Sequence, residues 1–337
     1  MIFLDFCSLS RRRRPLFHRR YVWLRCGTGS GRIAQITRAN VALDRPDTVE
    51  DTEIPSPAPR RVPWSRHGSR KNFPYPGVAP VRTSYKKRDS RKVMKMKITN
   101  KTVLITGANR GIGQALVTEA LRRGATRVYA GMRSPVQHPN KRVTPLTLDV
   151  TNALQIQRAV ETVDTLDVLI NNAGIAIYDD LSSFEVLEQT FAVNFFGLLR
   201  VTNAFLPLLK RSKGVILNNV SLAGLAPLPI IPSYSTSKAA ALNLTQSLRA
   251  LLADQGVTVH AVVIGPVDTD MSRGLEIPKA APETAAAGIF DGLERGEEEI
   301  FPDPVSHAIA EGWRNGVSKA LEREFKAFVP ATAARAK

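Results

Sequence analysis

The sequence predicts an α/β fold in which helices cover both faces of a doubly wound parallel sheet. Two observations support this prediction. Short apolar runs rich in β-branched residues alternate with longer stretches of helical periodicity, and the runs are apolar throughout rather than at every second residue. Strands buried on both faces have this continuous pattern, and their alternation with helices is typical of a parallel sheet. Ligands of such a sheet bind at the carboxyl ends of its strands.

The predicted elements follow one another along the second part of the chain. Six apolar runs are predicted strands, at residues 102–106, 127–130, 143–148, 166–170, 215–220 and 257–264. A short seventh strand is predicted at 298–301, ahead of a C-terminal helix. The intervening helical patterns lie at residues 112–123, 151–163 and 235–253, with two more on either side of Asn194. Gly124 is expected to end the first helix, and Thr151 to cap the second.

The charge distribution separates a tail from a domain. The chain has 337 residues and a formal charge of +17, yet residues 1–97 contain 23 Lys and Arg against 7 Asp and Glu, whereas residues 98–337 contain 24 against 23. We therefore predict a disordered basic tail over 1–97 and a single near-neutral domain over 98–337. The near-neutral domain disfavours a fold built to bind nucleic acid.

Three interpretations of the tail were weighed. A secretory signal does not fit, because the apolar first nine residues precede the arginines and include an acid. An organelle transit peptide fits the first 43 residues, which hold nine arginines and one acid. In the third interpretation the tail is dispensable or an over-long start, since Met94 and Met96 lie just ahead of the first strand. We expect a cytoplasmic protein, with organelle targeting as the alternative.

A glycine-rich loop follows the first predicted strand and precedes a predicted helix. It reads Thr-Gly-Ala-Asn-Arg-Gly-Ile-Gly over residues 106–113. The first glycine permits a tight turn, and the later two let the backbone and the helix approach a pyrophosphate at the helix N-terminus. The residues predicted to bind a dinucleotide here are Gly107, Asn109, Arg110, Gly111, Ile112 and Gly113.

The end of the second strand favours NADP over NAD. A domain that binds NAD usually has an acidic residue about 20 residues beyond the glycines, for the ribose 2′-hydroxyl. The corresponding segment, residues 128–133, has no acid and ends at Arg133. Arg133 and Arg110 both suit a 2′-phosphate, although either could be a solvated surface arginine. We predict NADP as cofactor, with NAD as the alternative.

Tyr234 and Lys238 lie at positions i and i+4 of a predicted helix, and therefore on one face. A phenol has a pKa of about 10, which is too high for acid/base chemistry at neutral pH. A lysine cation about 4 Å away contributes about 4 kcal/mol at an effective dielectric of about 20, or roughly three pKa units. The pair is therefore a candidate general acid/base, although this spacing alone also fits a solvated lysine.

Polar residues also follow the fourth and fifth predicted strands. The segment Asn171–Gly174 follows the fourth strand, Ser221 follows the fifth, and Asn194 interrupts the helical region between them. Because the carboxyl ends of parallel strands meet at one edge, we expect these side chains close to Tyr234.

Taken together, the motifs resemble the short-chain dehydrogenase/reductase family, in its compact single-domain branch with a Rossmann fold. The resemblance is close over about residues 98–270 and looser beyond. Besides the glycine loop, the matching residues are Asp149, Asn171–Gly174, Asn194, Ser221, Tyr234, Lys238, Gly265 and Thr269. The family implies an oxidoreductase that transfers a hydride between NADP(H) and an alcohol or carbonyl.

The resemblance also implies a role for each matching residue. Tyr234 would be the general acid/base, and Ser221 would hydrogen-bond the reacting oxygen. Lys238 would lower the tyrosine pKa and hold the nicotinamide ribose, while Asn194 would anchor a water in a proton relay through Lys238. Further cofactor contacts are implied for Asp149, Val150, Asn171, Ala173, Gly174, Val267 and Thr269.

Two departures from the family pattern concern the end of the domain. The sequence has Gly265-Pro266 where the family usually has Pro-Gly, and the segment 271–282, which often closes over substrate in the family, is short. Substrate contacts are expected from residues 175–180, 222–231 and 271–275, and the second of these is apolar. We expect a small or medium apolar alcohol or carbonyl substrate.

Two other functions stay open as alternatives. An epimerase or dehydratase could use the same Tyr-Lys pair, but the chain lacks the substrate domain of that longer branch. A non-catalytic dinucleotide scaffold or sensor could keep the fold, but Ser221, Tyr234 and Lys238 are all present.

Composition excludes several further partners. Five scattered histidines have no ligand spacing, and both cysteines lie in the tail, so no metal is predicted. No uncharged apolar run approaches 18 residues, so no membrane-spanning helix is expected.

Apolar helix faces over 188–210 and 235–253 indicate a homodimer or homotetramer, as is frequent in the family.

Overall fold

The structure is a computed structural model that describes residues 96–326. The predicted tail lies outside this range except for its last two residues. Met96, which the sequence assigned to the tail, is 8% exposed and packs in the domain core with the fully buried Ile98. The boundary predicted at 97/98 is therefore at least two residues too late.

Seven parallel strands form a single sheet in the order β3-β2-β1-β4-β5-β6-β7. The strands are β1 (Thr102–Thr106), β2 (Arg127–Met132), β3 (Val143–Thr147), β4 (Val168–Asn171), β5 (Val215–Asn219), β6 (Thr258–Val262) and β7 (Glu299–Ile300). The strand order reverses between β1 and β4, which pair in register through Leu104 and Leu169. The predicted doubly wound sheet is confirmed, and this reversal is where such a sheet forms its ligand crevice.

Helices join the strands in the predicted order. They are α1 (Gly111–Arg122), α2 (Ala153–Thr162), α3 (Phe184–Phe191), α4 (Leu198–Ser212), α5 (Pro232–Leu252), α6 (Pro282–Arg295), α7 (Pro304–His307), α8 (Ala310–Arg314) and α9 (Val317–Phe325). The cap predicted for α2 was one residue early: the Asn152 side chain accepts from the Gln155 amide at 3.1 Å, whereas Thr151 bonds to Asp149. Helix α5 begins at Pro232 rather than at the predicted residue 235.

The interruption predicted near Asn194 is a π-helical turn, Ala192–Gly197, that joins α3 to α4 without a break. The sequence pattern cannot distinguish the end of one helix from a widened turn within a continuous helix, because both shift the direction of the apolar face. A π-helical turn is rare and is frequently found at a functional site.

The core lies on both faces of the sheet. In β1, Val103 and Ile105 pack with α1 and α6 on one face, and Leu104 packs with α2 and α4 on the other. All three side chains are fully buried. This explains why the three central residues of the strand are all apolar.

One helical run, Phe184–Ser212, has the length and composition to cross a membrane, where none was expected from the sequence. A buried core helix passes the same test. Val201, Phe205 and Leu209 of this run are fully buried in the core beneath the sheet. Packing within the domain therefore accounts for part of the apolar character of the run, since 44% of its apolar window is buried.

Candidate active site

The glycine loop brings the start of α1 against the end of β1. Gly107 has φ +65°, and a Cβ there would lie 2.9 Å from the Ala173 Cα. A Cβ on Gly113 would overlap the Gly107 carbonyl oxygen and lie 2.8 Å from Asn172 Nδ2. The first turn of α1 has no side-chain cap. Its N–H groups are thus free of a side-chain acceptor, the arrangement that binds a phosphate.

Asn109 and Ile112, which neighbour these glycines, differ in their burial. Asn109 is exposed at the loop tip. Ile112, predicted as a cofactor contact, packs against the core cluster with its side chain partly buried. We therefore assign the Ile112 side chain a packing role.

The segment after β4 joins the ends of β4 and β1. The Asn172 side chain donates to the carbonyl oxygens of Thr106 (3.0 Å) and Gly107 (3.2 Å). The Thr106 hydroxyl in turn accepts from the amides of Asn172 and Ala173, both at 3.0 Å. These four bonds hold the glycine loop in place. Asn172 lies in the segment 171–174 that matched the family, but no individual contact was predicted for it.

Asn171 points away from this edge. Its side chain is 4% exposed and donates to Thr202 Oγ1 and Asn218 Oδ1, both at 2.9 Å. The resemblance implied a cofactor contact for Asn171, but its side chain instead joins β4 to β5 and α4. Side chains alternate across a strand, so adjacent asparagines necessarily serve opposite faces.

Asn194 links the segment after β4 to α5. Its amide nitrogen donates to Ile175 O (2.9 Å) and Ser237 Oγ (3.0 Å), and its Oδ1 accepts from the Ile175 amide (2.9 Å). A Cβ on Gly174 would lie 3.3 Å from Asn194 Oδ1 and 3.5 Å from Lys238 Nζ. Asn194 and Lys238 therefore border one small space beside Gly174. The water relay implied for them stays a prediction.

Ser221, Tyr234 and Lys238 come together as predicted. Lys238 Nζ lies 5.5 Å from the centre of the Tyr234 ring and donates to Asn219 O at 2.8 Å. The Ser221 side chain neighbours the Tyr234 hydroxyl, whose charged form it favours, and accepts from the Ala223 amide at 3.1 Å. A phenol, a hydroxyl and an ammonium thus converge at one edge of the sheet.

The protonation of the pair differs from the prediction. Burial raises the pKa of Tyr234, and the Ser221 hydrogen bond opposes this only in part. Burial also lowers the pKa of Lys238 to about 8. The predicted lowering of the Tyr234 pKa is therefore not found in this state, because desolvation of the buried hydroxyl disfavours its charged form. At neutral pH the pair is a phenol beside an ammonium.

Three buried serines at alternate positions around Tyr234 were not predicted. Ser233 donates its hydroxyl to the Asp179 carboxylate. Ser235 accepts from the Leu228 amide at 3.0 Å, and Ser237 donates to Tyr234 O at 2.7 Å. The sequence signal was the run of alternating serines, but the Asp179 partner of Ser233 lies 54 residues away on another loop.

The segment after β6 covers the glycine loop. A Cβ on Gly111 would lie 3.0 Å from the Thr269 methyl group. Val267 is 4% exposed, and its carbonyl accepts from the Ser272 hydroxyl at 2.6 Å. Thr269 is therefore brought to the predicted site, whereas Val267 lies buried beneath it.

The Gly265-Pro266 order has a structural explanation. The Gly265 amide donates to Asp303 Oδ2 at 2.8 Å, and a Cβ there would lie 2.5 Å from Asp303 Oδ1. Proline at 265 would lack that donor. Pro266 retains its carbonyl, which accepts from the Ala280 amide at 2.9 Å.

The two arginines proposed for a 2′-phosphate differ in their pairing. Arg133 follows β2, is exposed, and has no hydrogen bond or ion pair within residues 96–326. Arg110 is paired with Asp270 at 3.1 Å, and both side chains are about half exposed, at 64% and 47%. Asp149 lies near Arg133, since Leu148 bonds to Met132 at the adjoining strand ends.

Val150 was also predicted as a cofactor contact. It is 6% exposed, and a Cβ on Gly197 would lie 2.6 Å from its side chain. The Val150 side chain therefore packs against the π-helical turn. Only the backbone of Val150 is left to contact a cofactor.

A group of three carboxylates, Glu298, Glu299 and Glu322, has ligand spacing for a metal ion. Arg249 and Lys319 already lie among them, each 2.7 Å from Glu299. We interpret this group as a neutralised ion-pair network that holds α9 against β7.

Comparison with known proteins agrees with this geometry. The family model of the short chain dehydrogenases matches residues 101–279. Estradiol 17-beta-dehydrogenase 2 of Mus musculus is 33% identical over 197 residues, which cover 53% of this chain and 51% of that protein. The matched part thus spans about half of that curated relative, and 64% of the next, a short-chain dehydrogenase of Neurospora crassa.

Solved structures show the same fold. A short chain dehydrogenase from Burkholderia cenocepacia J2315, crystallised in complex with NADP, is 38% identical, with a TM-score of 0.61 and coverage of 68% of this chain and 99% of that one. An NADPH-bound carbonyl reductase from chicken fatty liver is 29% identical, with a TM-score of 0.53 and coverage of 58% and 92%. With more than half of its residues matched by the family model, from β1 to the segment after β6, the chain belongs to the short-chain dehydrogenase family.

Proposed function

We propose that the protein is an oxidoreductase that transfers a hydride between NADP(H) and an alcohol or carbonyl substrate. The observation that carries the proposal is the convergence of Ser221, Tyr234 and Lys238, with Lys238 Nζ 5.5 Å from the centre of the tyrosine ring. A carbonyl oxygen placed against both hydroxyls would receive a proton from one and a hydrogen bond from the other.

Each residue of this group has a separate task. Tyr234 holds its proton at neutral pH and therefore suits the acid in carbonyl reduction. Ser221 would stabilise the charge that develops on the substrate oxygen. Lys238 carries a positive charge below pH of about 8, which would stabilise the phenolate left after proton transfer. The same groups would act in reverse for alcohol oxidation.

The glycine loop fits a dinucleotide. A Cβ at Gly107 or Gly113 would fill the space where the backbone must approach a pyrophosphate, and α1 begins there without a side-chain cap. The nicotinamide of a bound NADP(H) would supply the hydride. Thr269 lies against Gly111 of this loop, and Gly174 lies beside Lys238.

Arg133 is the main support for NADP over NAD. It is exposed, unpaired among the described residues, and at the strand end where a domain that binds NAD would carry an acid. The relatives from Burkholderia cenocepacia and chicken were solved with NADP and NADPH, which agrees with this assignment. Arg110 would have to leave Asp270 to contribute, and an exposed ion pair of this kind costs only about 0–1 kcal/mol to break.

Exposed apolar side chains support an apolar substrate. They include Leu228 (39% exposed) and Ile230 (44%), on the loop that leads into Tyr234. Tyr178 (58%) lies on the segment after β4, whose residue Asp179 bonds to Ile230. Burial of these side chains against a substrate would contribute about 25 cal/mol per Å² of apolar surface.

The test is NADPH consumption against a panel of apolar aldehydes and ketones, with Tyr234→Phe and the matched control Tyr129→Phe, whose ring lies in the core of the domain. We expect Tyr234→Phe to lose turnover by roughly 10²–10⁴-fold and Tyr129→Phe to keep it. Equal rates for wild type and Tyr234→Phe would refute the role of Tyr234. NADPH binding without turnover of any compound would instead favour a scaffold or sensor.

A second measurement tests the cofactor. We expect Arg133→Glu to weaken NADPH more than NADH, because it places a carboxylate beside the 2′-phosphate. Activity of the wild type with NADH and not with NADPH would overturn the assignment.

We also propose a homodimer or homotetramer formed through the outer faces of α4 and α5, on the basis of the family alone. Sedimentation at several protein concentrations would test it, and a monomer throughout would contradict it.

A further inference from the structure

The first turn of α5, which carries Tyr234, is capped by a residue from a distant loop. Its N-cap residue, Ile231, offers no side-chain hydrogen bond, and Pro232 has no N–H. Ser233 is fully buried. Its hydroxyl donates to one oxygen of the Asp179 carboxylate, and its amide donates to the other at 3.4 Å. Asp179, 54 residues earlier in the chain, thus takes the place of a local cap.

Asp179 holds this turn from two directions. Besides its carboxylate bonds to Ser233, its backbone amide donates to Ile230 O at 3.4 Å. The residues it contacts lie on either side of the start of α5. A carboxylate at the N-terminus of a 21-residue helix is also stabilised by the helix dipole.

Tyr234 directly follows the residue that Asp179 binds. On its other side, the Ser235 amide bonds to Ile231 O at 3.0 Å, which is the first helical bond of the turn. Helix ends fray when their terminal groups are unsatisfied. Loss of the Asp179 bonds would therefore loosen the turn on which the tyrosine hydroxyl depends to reach Ser221.

We propose that Asp179 is a positioning residue for catalysis, which acts through Ser233 to hold Tyr234 within reach of Ser221 and the substrate oxygen. This inference rests on the proposed function. It assigns Asp179 no contact with substrate or cofactor. Its effect is therefore expected in kcat and not in cofactor affinity, since a displacement of about 1 Å can cost a factor of about 10² in rate.

The matched control is an acid in the first turn of another helix. Glu185 lies in α3, which is capped by its own Ser183, and it is exposed and outside the segments expected to contact substrate. We expect Asp179→Ala to lower kcat by roughly tenfold to a hundredfold, with the KM for NADPH unchanged. Glu185→Ala should leave both constants unchanged. Asp179→Asn should recover much of the loss, because its amide oxygen still accepts from the Ser233 hydroxyl.

A second pair of variants applies if Asp179→Ala does not fold. Ser233→Ala removes the hydroxyl donor and should lower kcat, whereas Ser233→Thr keeps a hydroxyl and should restore it. In the double variant of Asp179→Ala and Ser233→Ala the losses should not add, because both remove one interaction. Wild-type kcat in either single alanine variant, or equal losses in Asp179→Ala and Glu185→Ala, would overturn the inference.

One readout needs no turnover. The ultraviolet phenolate titration of Tyr234, taken as the difference from Tyr234→Phe, reports the surroundings of its hydroxyl. We expect this titration to shift in Asp179→Ala and to stay unchanged in Glu185→Ala. An unshifted curve would overturn the inference. An inactive wild type with a shifted curve would instead count against the proposed function alone.

Discussion

Lys238→Met should make the protein more stable while removing its activity. The Lys238 side chain is 5% exposed, and burial lowers its pKa from 10.5 to about 8. A difference of about 2.5 units corresponds to about 3 kcal/mol of free energy lost at pH 7 by holding this charge in the folded state. Methionine has a similar length and no charge, but it cannot donate to Asn219 O, which costs about 1 kcal/mol. We expect a net gain of about 2 kcal/mol in the free energy of unfolding.

The pH dependence gives the sign of the effect. Below pH of about 8 the lysine is charged in both states, so its full desolvation cost is present. Between pH of about 8 and 10.5 the unfolded chain binds more protons than the folded one, and the stability of the wild type rises with pH. The advantage of Lys238→Met should therefore shrink across that window.

Urea unfolding followed by circular dichroism at pH 7 and pH 10 measures this difference. Lys101→Met is the control: its ammonium is one-third exposed and paired with Asp167 at 3.0 Å, so we expect a small loss of stability. Turnover of Lys238→Met should fall by at least roughly tenfold, since the phenolate loses its cation. A Lys238→Met protein less stable than wild type at pH 7 would refute the desolvation argument.

Three further predictions concern the cofactor loop, the segment after β6 and the pH profile. Gly113→Ala should weaken NADPH binding by at least roughly tenfold by fluorescence titration, because its Cβ would overlap Gly107, whereas Gly312→Ala, with nothing within 4 Å, should bind normally. Asp303→Ala removes the acceptor of four hydrogen bonds. It should lower the free energy of unfolding by about 3 kcal/mol, as measured by urea titration. An unchanged unfolding midpoint would contradict this prediction. The kcat of carbonyl reduction should fall above pH of about 8 as Lys238 loses its proton, and a flat profile from pH 6 to 10 would exclude this titration.

The strands were predictable because their pattern is local. The five residues of β1 are apolar or β-branched and end at a glycine, and the predicted and observed bounds agree. The prediction for β6 was too long: Val263 and Ile264 are buried, and Val263 still donates to Ile300 O at 2.8 Å, but the paired residues of the strand end at Val262. Burial is visible in a sequence pattern, whereas the end of a ladder depends on the neighbouring strand.

The site residues divide in the same way. The Tyr234–Lys238 pair was predictable because i and i+4 share a helix face whatever surrounds the helix. Asp179 and Asp303 were not, since their partners lie 54 and 38 residues away. No spacing rule connects such residues before the chain is folded.

From its sequence alone, this protein was predictable as a doubly wound sheet with a glycine loop and a Tyr-Lys pair, because periodicity and short spacings follow from backbone geometry. Only the tertiary structure decided the charge state of that pair. It also decided that the Asn171 side chain points into the core, and that Asp179 caps α5. Each depends on which distant atoms exclude water or offer a hydrogen bond. Burial raises the tyrosine pKa for the same reason, and this reversed the direction that the isolated helix had predicted.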